Sequence, residues 1–339
     1  MDYRASGVDI DAGNEVVQRI KALARSTATP GVLSEVGAFG GLFALGPADP
    51  TVLVASADGV GTKLKIAFLT GRHDTVGRDL VNHCVNDILV QGATPLFFLD
   101  YFATGRLRPD VAVAVVEGLS RACRENGCAL LGGETAEMPG FYAEGEYDLA
   151  GFIVGRVERE RVIDGRAIRP GDVLLGLPSS GLHTNGYSLA RRILFDDLRL
   201  TVDSLVPEIG GTVGEALLVP HRSYLPVIRP LLDGGRIKGM AHITGGGITE
   251  NLPRVLPEGI GAVIERGAWE VPPLFMFLQS AGQVPEDDMR RTFNMGIGLV
   301  LVAAASDADA LIEQMRVSGE PAVHVIGRIT QGDRRVGYA

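Results

Sequence analysis

Residues 58–63 read DGVGTK and combine a carboxylate, two glycines, a hydroxyl and a lysine. Glycines allow backbone N–H groups to approach an anion closely, and Lys63 adds a positive charge. The order of residues differs from a Walker A loop, which requires GxxxxGK[ST]. We therefore interpret the segment Asp58, Gly59, Val60, Gly61, Thr62 and Lys63 as a ligand site that can receive an anion. The alternative is a plain turn with a solvated lysine.

A second group of polar residues, Asn82, His83, Asn86 and Asp87, falls within a helical pattern. Asn82 and Asn86 are four residues apart and share a helix face, with Asp87 about 100° from Asn86. An amide beside a carboxylate can hold a metal ion and hydrogen-bond a substrate group. An exposed polar helix face explains the same pattern. We interpret His83, for which the sequence shows no partner, as structural.

Glycines and an acid recur in residues 132–140, GGETAEMPG, directly after a strand that we expect to end at Leu131. If the elements are neighbours, Glu134 converges with Asp58 and Asp87. Several carboxylates in one cleft bind a hard cation, here Mg²⁺ holding the phosphates of a nucleotide.

Residues 179–188, SSGLHTNGYS, place many polar side chains where a helix is expected to begin, near Asn185. A helix N-terminus favours an anion. Ordinary capping by Thr184 or Asn185 is the alternative, but a cap requires only one such residue. We therefore interpret His183 and Asn185 as ligand-site residues.

A glycine triplet, Gly245–Gly247, stands in residues 242–251, HITGGGITEN, ahead of a helix that carries Glu250. Three glycines before a helix can form a phosphate cradle. A flexible loop is the alternative. The flanking strand and helix patterns favour a ligand site, because a linker would have serine or glycine on both sides.

Alternating strand and helix patterns must position these motifs, and they indicate an α/β (α+β) fold. A polar stretch at residues 156–172 suggests a domain boundary, which we place between 169 and 170. The expected domains are 1–169 and 170–339. Strands are predicted at 51–57, 95–103, 128–131, 147–157, 173–177, 241–243, 261–265, 298–303 and 322–328, and helices at 75–92, 110–126, from 185, 273–281 and 308–317.

The chain has 339 residues, of which 46% are hydrophobic, so it can form two cores and is neither disordered nor fibrous. Its net charge is −9 and no basic stretch stands out, so we expect no nucleic-acid partner. The longest apolar stretch, residues 295–305, is too short to span a membrane. Three sparse cysteines favour a reducing compartment, and the N-terminus lacks the apolar core of a signal peptide. We expect a cytoplasmic protein.

Taken together, the motifs resemble the phosphoribosylformylglycinamidine cyclo-ligase (aminoimidazole ribonucleotide synthetase) family. The resemblance covers essentially the whole chain and rests on six long motifs in the family's order, together with GVDIDAGN at residues 7–14. The six are DGVGTK, VNDILVQGATPLFFLDY, GGETAEMPG, SSGLHTNGYSL, HITGGGITENLPRVLP and RTFNMGIG.

The resemblance implies an ATP-dependent ring closure in purine biosynthesis. ATP would phosphorylate the formyl oxygen of formylglycinamidine ribonucleotide, an amidine-side nitrogen would attack the resulting iminophosphate, and phosphate would leave. It also implies Mg²⁺, a homodimer built on an N-terminal mixed-sheet domain, and an active-site groove between that domain and a C-terminal α/β domain.

The family's functional positions carry over to this sequence by motif. Asp58 and Asp87 match positions that bind Mg²⁺–ATP, with Glu134 as a further metal candidate, and the segment near Tyr3 reaches ATP in relatives, where Arg4 stands in place of the usual lysine. We assign catalysis to Lys63, His183 and Asn185. The substrate groove is assigned to Gly59, Val60, Gly61, Thr62, Asn86, Gly245, Gly246, Gly247 and Glu250.

Two other interpretations differ in function. Another member of the superfamily, such as thiamine-phosphate kinase or selenophosphate synthetase, would share the acidic ATP site but not SSGLHTNG and GGETAEMPG together. Selenophosphate synthetase would also require a reactive cysteine or selenocysteine near the N-terminus, and none precedes Cys84. A nucleotide-binding regulator would bind ATP without forming an imidazole.

Overall fold

Two large β-sheets, each with its own helices, dominate the fold in the part of the chain that the structure describes. The structure is a computed structural model that describes residues 6–35, 37–320 and 322–339. The elements of the first half are α1 (Ile10–Arg25), β1 (Gly41–Ala44), β2 (Thr51–Gly59), α2 (Leu64–Thr70), α3 (Val76–Leu89), β3 (Thr94–Thr104), α4 (Pro109–Asn126), β4 (Ala129–Glu137) and β5 (Tyr147–Glu158).

The first sheet has the strand order β1-β2-β5-β3-β4 and is antiparallel except between β3 and β4. Helices α3 and α4 pack against each other and cover one face of this sheet. In α3 nearly every residue is buried, including the polar side chains of Asn82, His83, Asn86 and Asp87. These residues therefore do not form an exposed polar face.

The second half contributes β6 to β13 and α5 to α11. The second sheet has the order β13-β10-β12-β6-β11-β9, with β7 and β8 forming a separate hairpin. The bounds are β6 (Val173–Pro178), α5 (Tyr187–Arg191), β7 (Leu205–Val206), β8 (Gly211–Thr212), α6 (Val213–Leu218), α7 (Leu225–Ile228), β9 (Ile237–His242), α8 (Gly247–Asn251), β10 (Ile260–Ile264), α9 (Pro273–Gly282), α10 (Glu286–Thr292), β11 (Ile297–Ala303), α11 (Ala308–Val317), β12 (His324–Gln331) and β13 (Val336–Tyr338).

Strand β11 explains why this half folds as a layered sheet. All seven of its residues are buried, and it pairs with β6 on one side and β9 on the other. A continuous apolar strand of this kind is stable only where both faces of the sheet are covered. The last strand of the first sheet ends at Glu158 and the first strand of the second begins at Val173, with the proposed boundary between 169 and 170 in the connecting segment.

The structure confirms the predicted strands and the helices α3, α4, α9 and α11 to within a few residues, but it corrects the end of β4. Strand β4 does not stop at Leu131. Its pairing with β3 continues from Leu99–Gly132 to Thr104–Glu137, so the glycines and Glu134 lie inside the strand. The predicted helix start at Asn185 is also slightly early, because Gly186 adopts a positive φ of 80° and α5 begins at Tyr187.

Several elements are absent from the sequence expectations, among them α1, α2, α6, α7, α10, β1 and β13. Most of them are short, and short apolar runs do not distinguish helix from strand. Within the part of the chain that the structure describes, no helix combines the length and the apolar composition needed to cross a bilayer.

Candidate functional site

A cavity of about 310 Å³ lies between the two halves of the chain. One wall is the segment that follows β2, and the opposite wall is the segment that leads into α5. Its lining residues are Val8, Asp58, Gly59, Val60, Gly61, Thr62, His83, Thr184, Asn185, Gly186, Tyr187, Ser188 and Thr244. The structure therefore brings together DGVGT and TNGYS, two segments about 125 residues apart in sequence.

Asp58 lies at the end of β2 and presents its carboxylate to this cavity. The backbone N–H of Gly59 donates to Oδ1 at 2.7 Å, and Nε2 of His83 lies 2.8 Å from Oδ2. Burial alone would raise the pKa of Asp58, but the charge and hydrogen bond of His83 outweigh it and hold the pKa below its usual value. Asp58 is thus a carboxylate at neutral pH.

His83, on α3, is the cation beside this carboxylate. Burial disfavours its charged form, yet Asp58 and Asp87 raise its pKa to about 9. Its two ring N–H groups then donate to Asp58 and, at 2.8 Å, to the hydroxyl of Thr184. The sequence showed no partner for His83 because its partners come from β2 and from the second half of the chain.

Asp87, one turn further along α3, is buried and already bonded. Its Oδ1 accepts from Nδ1 of His242 at 2.9 Å, and its Oδ2 accepts from the hydroxyl of Ser56 at 3.3 Å. Nε2 of His83 lies 3.7 Å from the same Oδ2. The two carboxylates thus flank one imidazole nitrogen, but only Asp58 lines the cavity.

Four of the chain's six histidines meet behind the cavity, and we call His83, His183, His221 and His242 the histidine cluster. Nε2 of His221 and Nε2 of His242 are 3.0 Å apart, and Nδ1 of His221 lies 3.4 Å from the Thr184 hydroxyl. With Nδ1–H of His242 on Asp87, these contacts fit neutral His221 and His242. Burial lowers the pKa of both.

His183, His221 and His242 place ring nitrogens within 4.8 Å of one another, a spacing compatible with metal binding. The rings of His183 and His221, however, stack with centroids 3.9 Å apart and an interplanar angle of 16°. Imidazole lone pairs lie in the ring plane, so two parallel stacked rings do not direct them at one ion. This arrangement is a packed imidazole stack, not a preformed metal centre.

Comparison with known proteins assigns the family. A family model described as AIR synthase related protein, N-terminal domain, matches residues 41–157, and one described as its C-terminal domain matches residues 169–338. A phosphoribosylformylglycinamidine cyclo-ligase from Trichlorobacter lovleyi is 57% identical, over 94% of this chain and 92% of the relative. One from Sorangium cellulosum is also 57% identical, over 96% and 94%.

The chain belongs to the phosphoribosylformylglycinamidine cyclo-ligase family. Among solved structures, a thiamine-monophosphate kinase from Stenotrophomonas maltophilia superposes with a TM-score of 0.62 at 18% identity, covering 95% of each chain. An E. coli hydrogenase maturation protein superposes equally well, with 18% identity over 95% of this chain and 93% of that one. These likenesses show a shared two-domain fold. The family and the fold expected from sequence are confirmed.

Lys63 does not line the cavity. Its side chain is fully buried behind the cavity, where Nζ donates to Asp79 at 2.8 Å, to the carbonyl of Val219 at 2.7 Å and to that of His183 at 3.3 Å. All three N–H groups are used. The assignment of Lys63 to catalysis is wrong, because its ammonium joins the two halves of the chain instead of facing a ligand.

The side-chain amide of Asn86 is likewise hydrogen-bonded within the protein. Its amide N–H donates to the carbonyl of Arg222 at 2.9 Å, and its oxygen accepts from the backbone N–H of Tyr224 at 2.9 Å. It is fully buried, so the expected contact between Asn86 and substrate is wrong. Asn82 behaves similarly and donates to the carbonyl of His221 at 2.7 Å.

Glu134 does not converge with the other two acids. Its register neighbours across the sheet are Tyr101, Ala150 and Gly59, which puts it about 14 Å, three strand spacings, from β2. It is one residue out of phase with the row that holds Asp58, so its side chain is on the other face of the sheet. Within one chain, the expectation that Glu134 joins Asp58 and Asp87 at a metal is wrong.

The remaining predicted residues divide between the cavity and its support. Asn185 lines the cavity, whereas the ring of His183 is 1% exposed and is held by the N–H of Ser180 on Nε2. Gly245 approaches the Asn185 amide closely. Glu250 accepts from Arg291 at 2.7 Å. Tyr3 and Arg4 lie outside the described residues, although Val8 reaches the cavity.

Sequence reasoning missed His221 and did not single out His242 or Thr184 as members of one network. The one available signal is the small number of histidines, because four of the six in the chain meet in the histidine cluster. That signal is weak, since the four are spread from residue 83 to 242. The stack of His183 on His221 has no signature in local sequence.

Proposed function

We propose that the cavity between the two halves is the active site for the ring closure performed by this family. Formylglycinamidine ribonucleotide and ATP are converted into aminoimidazole ribonucleotide, ADP and phosphate in purine biosynthesis. The formyl oxygen takes the γ-phosphoryl group, an amidine nitrogen attacks the iminophosphate carbon, and phosphate leaves with that oxygen. The observation that supports this site is the meeting of the Asp58 glycine loop with the polar segment 184–188 in one cavity.

The cavity suits a reaction that needs positioning and charge stabilisation more than a protein nucleophile. Asp58 supplies a fixed negative charge for a metal-bound nucleotide. The glycines in Gly59–Gly61 have no side chain, so the backbone N–H groups of this segment can come close to a phosphate. Thr184 and Asn185 face this loop and can orient amide and amidine groups by hydrogen bonds. His183 does not contact the substrate directly. Its buried ring supports the segment that carries Thr184 and Asn185.

Magnesium fits Asp58 better than it fits Asp87. Mg²⁺ prefers carboxylate oxygens together with substrate phosphates, and Asp58 is the acid that reaches the cavity. Asp87 is buried and does not line the cavity, and its oxygens accept hydrogen bonds from His242 and Ser56. A bound Mg²⁺ would neutralise phosphate charge during phosphoryl transfer. We therefore assign Asp58 as the principal ligand and Asp87 as its neighbour.

A homodimer is the proposed assembly, supported by the uncovered face of the first sheet. Helices α3 and α4 cover the face that holds Phe98 and Ile153, whereas Tyr101 and Phe152 on the opposite face remain 39% and 41% exposed. Leu131, on the edge strand β4, is 63% exposed. A second copy against this face would bury these side chains and bring Glu134 into the interface.

We also propose a cytoplasmic location and domains of 1–169 and 170–339. All three cysteines are free thiols, as suits a reducing compartment. The two sheets share no strand, and the proposed boundary lies between them.

The activity is tested by incubating the protein with Mg²⁺–ATP and formylglycinamidine ribonucleotide while measuring ADP and the aminoimidazole product. We expect the two products in equal amounts. ADP formed without aminoimidazole would favour a kinase, and binding of ATP with no ADP formed would favour a regulator. Omitting the ribonucleotide controls for simple ATP hydrolysis.

Asn185→Ala separates a ligand contact from a helix cap. We expect kcat/KM for the ribonucleotide to fall by about tenfold or more, because one oriented hydrogen bond is lost, with the KM for ATP nearly unchanged. A variant that melts earlier but keeps its kinetics would identify Asn185 as a cap only.

A further inference from the structure

A second cavity of about 530 Å³ adjoins the first and is not used by the chemistry described so far. The two cavities share Ser188, whose hydroxyl lies 3.2 Å from that of Thr62 in the Asp58 loop. Leu69, Phe195 and Leu200 give the second cavity an apolar wall. A ligand seated by Asp58 can therefore extend past Ser188 into a partly apolar chamber.

Arg191 is the feature of this chamber that calls for a ligand. It lines the cavity, is half-buried, and makes no hydrogen bond or ion pair with any residue that the structure describes. Its Nε is buried without an acceptor. Buried polar groups without a partner are rare in folded proteins and require an explanation.

Arg222 and Arg291, which are also half-buried, each have a carboxylate partner, whereas Arg191 has none among the described residues. Arg222 is paired with Glu320 at 2.6 Å, and Arg291 with Glu250 at 2.7 Å. The carboxylate that shares the cavity wall, Asp196, is exposed and forms no salt bridge with Arg191. A planar guanidinium left free beside a cavity matches a phosphate, which it can bind through two parallel hydrogen bonds.

The position of Arg191 on α5 indicates whether it binds a phosphate of ATP or the 5′-phosphate of the ribonucleotide. Ser188 and Arg191 are three residues apart and lie on the same helix face. The phosphates of ATP must stay at Asp58, where the metal and the phosphoryl acceptor meet. A ribonucleotide instead carries its 5′-phosphate on the far side of the ribose from the atoms that form the ring, so this phosphate can occupy a cavity that adjoins the site of phosphoryl transfer.

We propose that Arg191 binds the 5′-phosphate of the ribonucleotide substrate in this second cavity. The proposal rests on the proposed function of the first cavity. In this proposal Arg191 binds and orients the substrate at a place separate from the site of phosphoryl transfer. Because only a nucleotide carries this phosphate, the enzyme would bind a nucleotide more tightly than the corresponding nucleoside.

Steady-state kinetics of Arg191→Gln test this assignment. We expect the KM for the ribonucleotide to rise about 10- to 100-fold, as loss of a charge-assisted hydrogen-bond pair predicts, with kcat within threefold and the KM for ATP unchanged. Arg191→Lys, which keeps the charge but loses the planar fork, should recover part of the loss and replaces the first variant if that one does not fold. Arg229→Gln, at an exposed position elsewhere, is the matched control.

Binding of ribose 5-phosphate, measured by calorimetry, separates this proposal from the proposed function. Binding to the wild type that is lost in Arg191→Gln supports the subsite even if the wild type forms no aminoimidazole. Normal turnover with an unchanged ribonucleotide KM in Arg191→Gln would overturn the subsite and leave the function standing. A rise in the KM for ATP would also overturn it, because the chamber would then hold the nucleotide cosubstrate.

Discussion

Asp58 and Asp87 flank the same nitrogen of His83, yet their surroundings give them different roles. Asp58 borders the cavity, whereas Asp87 is buried against His242 and Ser56. The residue types of the motifs identified both acids, but burial is set by tertiary packing and is not encoded in the motif. The same limitation explains Lys63 and Asn86, whose polar groups are satisfied by the second half of the chain.

Replacing each acid by its amide should separate these roles. We expect Asp58→Asn to lower turnover about 100-fold, to raise the Mg²⁺ concentration required, and to lose some stability because buried His83 loses its nearest charged partner. Asp87→Asn should also lose stability, by about 1–3 kcal/mol, because His242 and Ser56 lose a charged partner. Kinetic titration with Mg²⁺ and urea unfolding measure the two effects. Asp197→Asn, at an exposed position, is the control. An equal rise in the Mg²⁺ requirement for Asp58→Asn and Asp87→Asn would contradict the distinction.

The buried imidazoles make stability depend on pH with a defined sign. Burial first, and then the positive charges of Lys63 and His83, hold the pKa of His183 and His221 well below the ordinary value. Above about pH 6.5 both are neutral folded or unfolded. Below it the unfolded chain takes up protons that the folded chain does not, so each histidine lowers the free energy of unfolding by about 1.4 kcal/mol per pH unit.

Urea unfolding at pH 7.5, 6.5 and 5.5 should therefore show a loss of stability that begins near pH 6.5. His183→Asn should reduce this dependence by about one proton, whereas His324→Asn, outside the histidine cluster, should leave it unchanged. His83 acts in the opposite sense. Its pKa of about 9 gives stability that is complete below pH 6.5 and is lost as the pH rises through 9. A flat profile between pH 7.5 and 5.5 would show that the stacked imidazoles titrate normally.

At the scale of elements, local patterns predicted the long strands and helices because hydrophobic periodicity and glycine or proline boundaries mark them. Helix α4, for example, starts with Pro109 and ends at Gly127, whose φ is 69°. The extent of β4 could not be predicted, because it depends on hydrogen bonds from β3 and not on β4's own residues. For the glycine triplet Gly245–Gly247, the sequence did predict an unusual backbone conformation, and the packing seen in the structure explains why glycine is needed there.

Gly247, the first residue of α8, tests that explanation. Its φ is +59°, and an added Cβ would lie 1.9 Å from the carbonyl oxygen of Arg290. We expect Gly247→Ala to lower the free energy of unfolding by about 2 kcal/mol or more, through both backbone strain and collision with α10. Gly234→Ala, where φ is not positive and a Cβ meets open space, should change stability by less than about 0.5 kcal/mol. A tolerant Gly247 would indicate a flexible loop.

The proposed active site requires both halves of the chain, because each supplies one wall of the cavity. The Lys63–Asp79 pair reinforces this junction, since Lys63 also donates to the carbonyl groups of His183 and Val219. The motifs predicted that two domains contribute to one groove, but the sequence contains no local information on the contacts that align them. The outer face of the first sheet is the part of the molecule that these contacts leave uncovered.

That uncovered face predicts a homodimer in solution. Light scattering at micromolar concentration should give twice the chain mass of 35.9 kDa. Phe152→Glu places a charge at the centre of the face and should shift the mass toward the monomer, because burial of an unpaired carboxylate opposes association. Val317→Glu, at an 81% exposed position at the end of α11, should leave the mass unchanged. A wild-type mass of about 36 kDa would contradict the dimer. A dimeric Phe152→Glu would place the interface on another surface, and Glu134 would then no longer be expected at the interface.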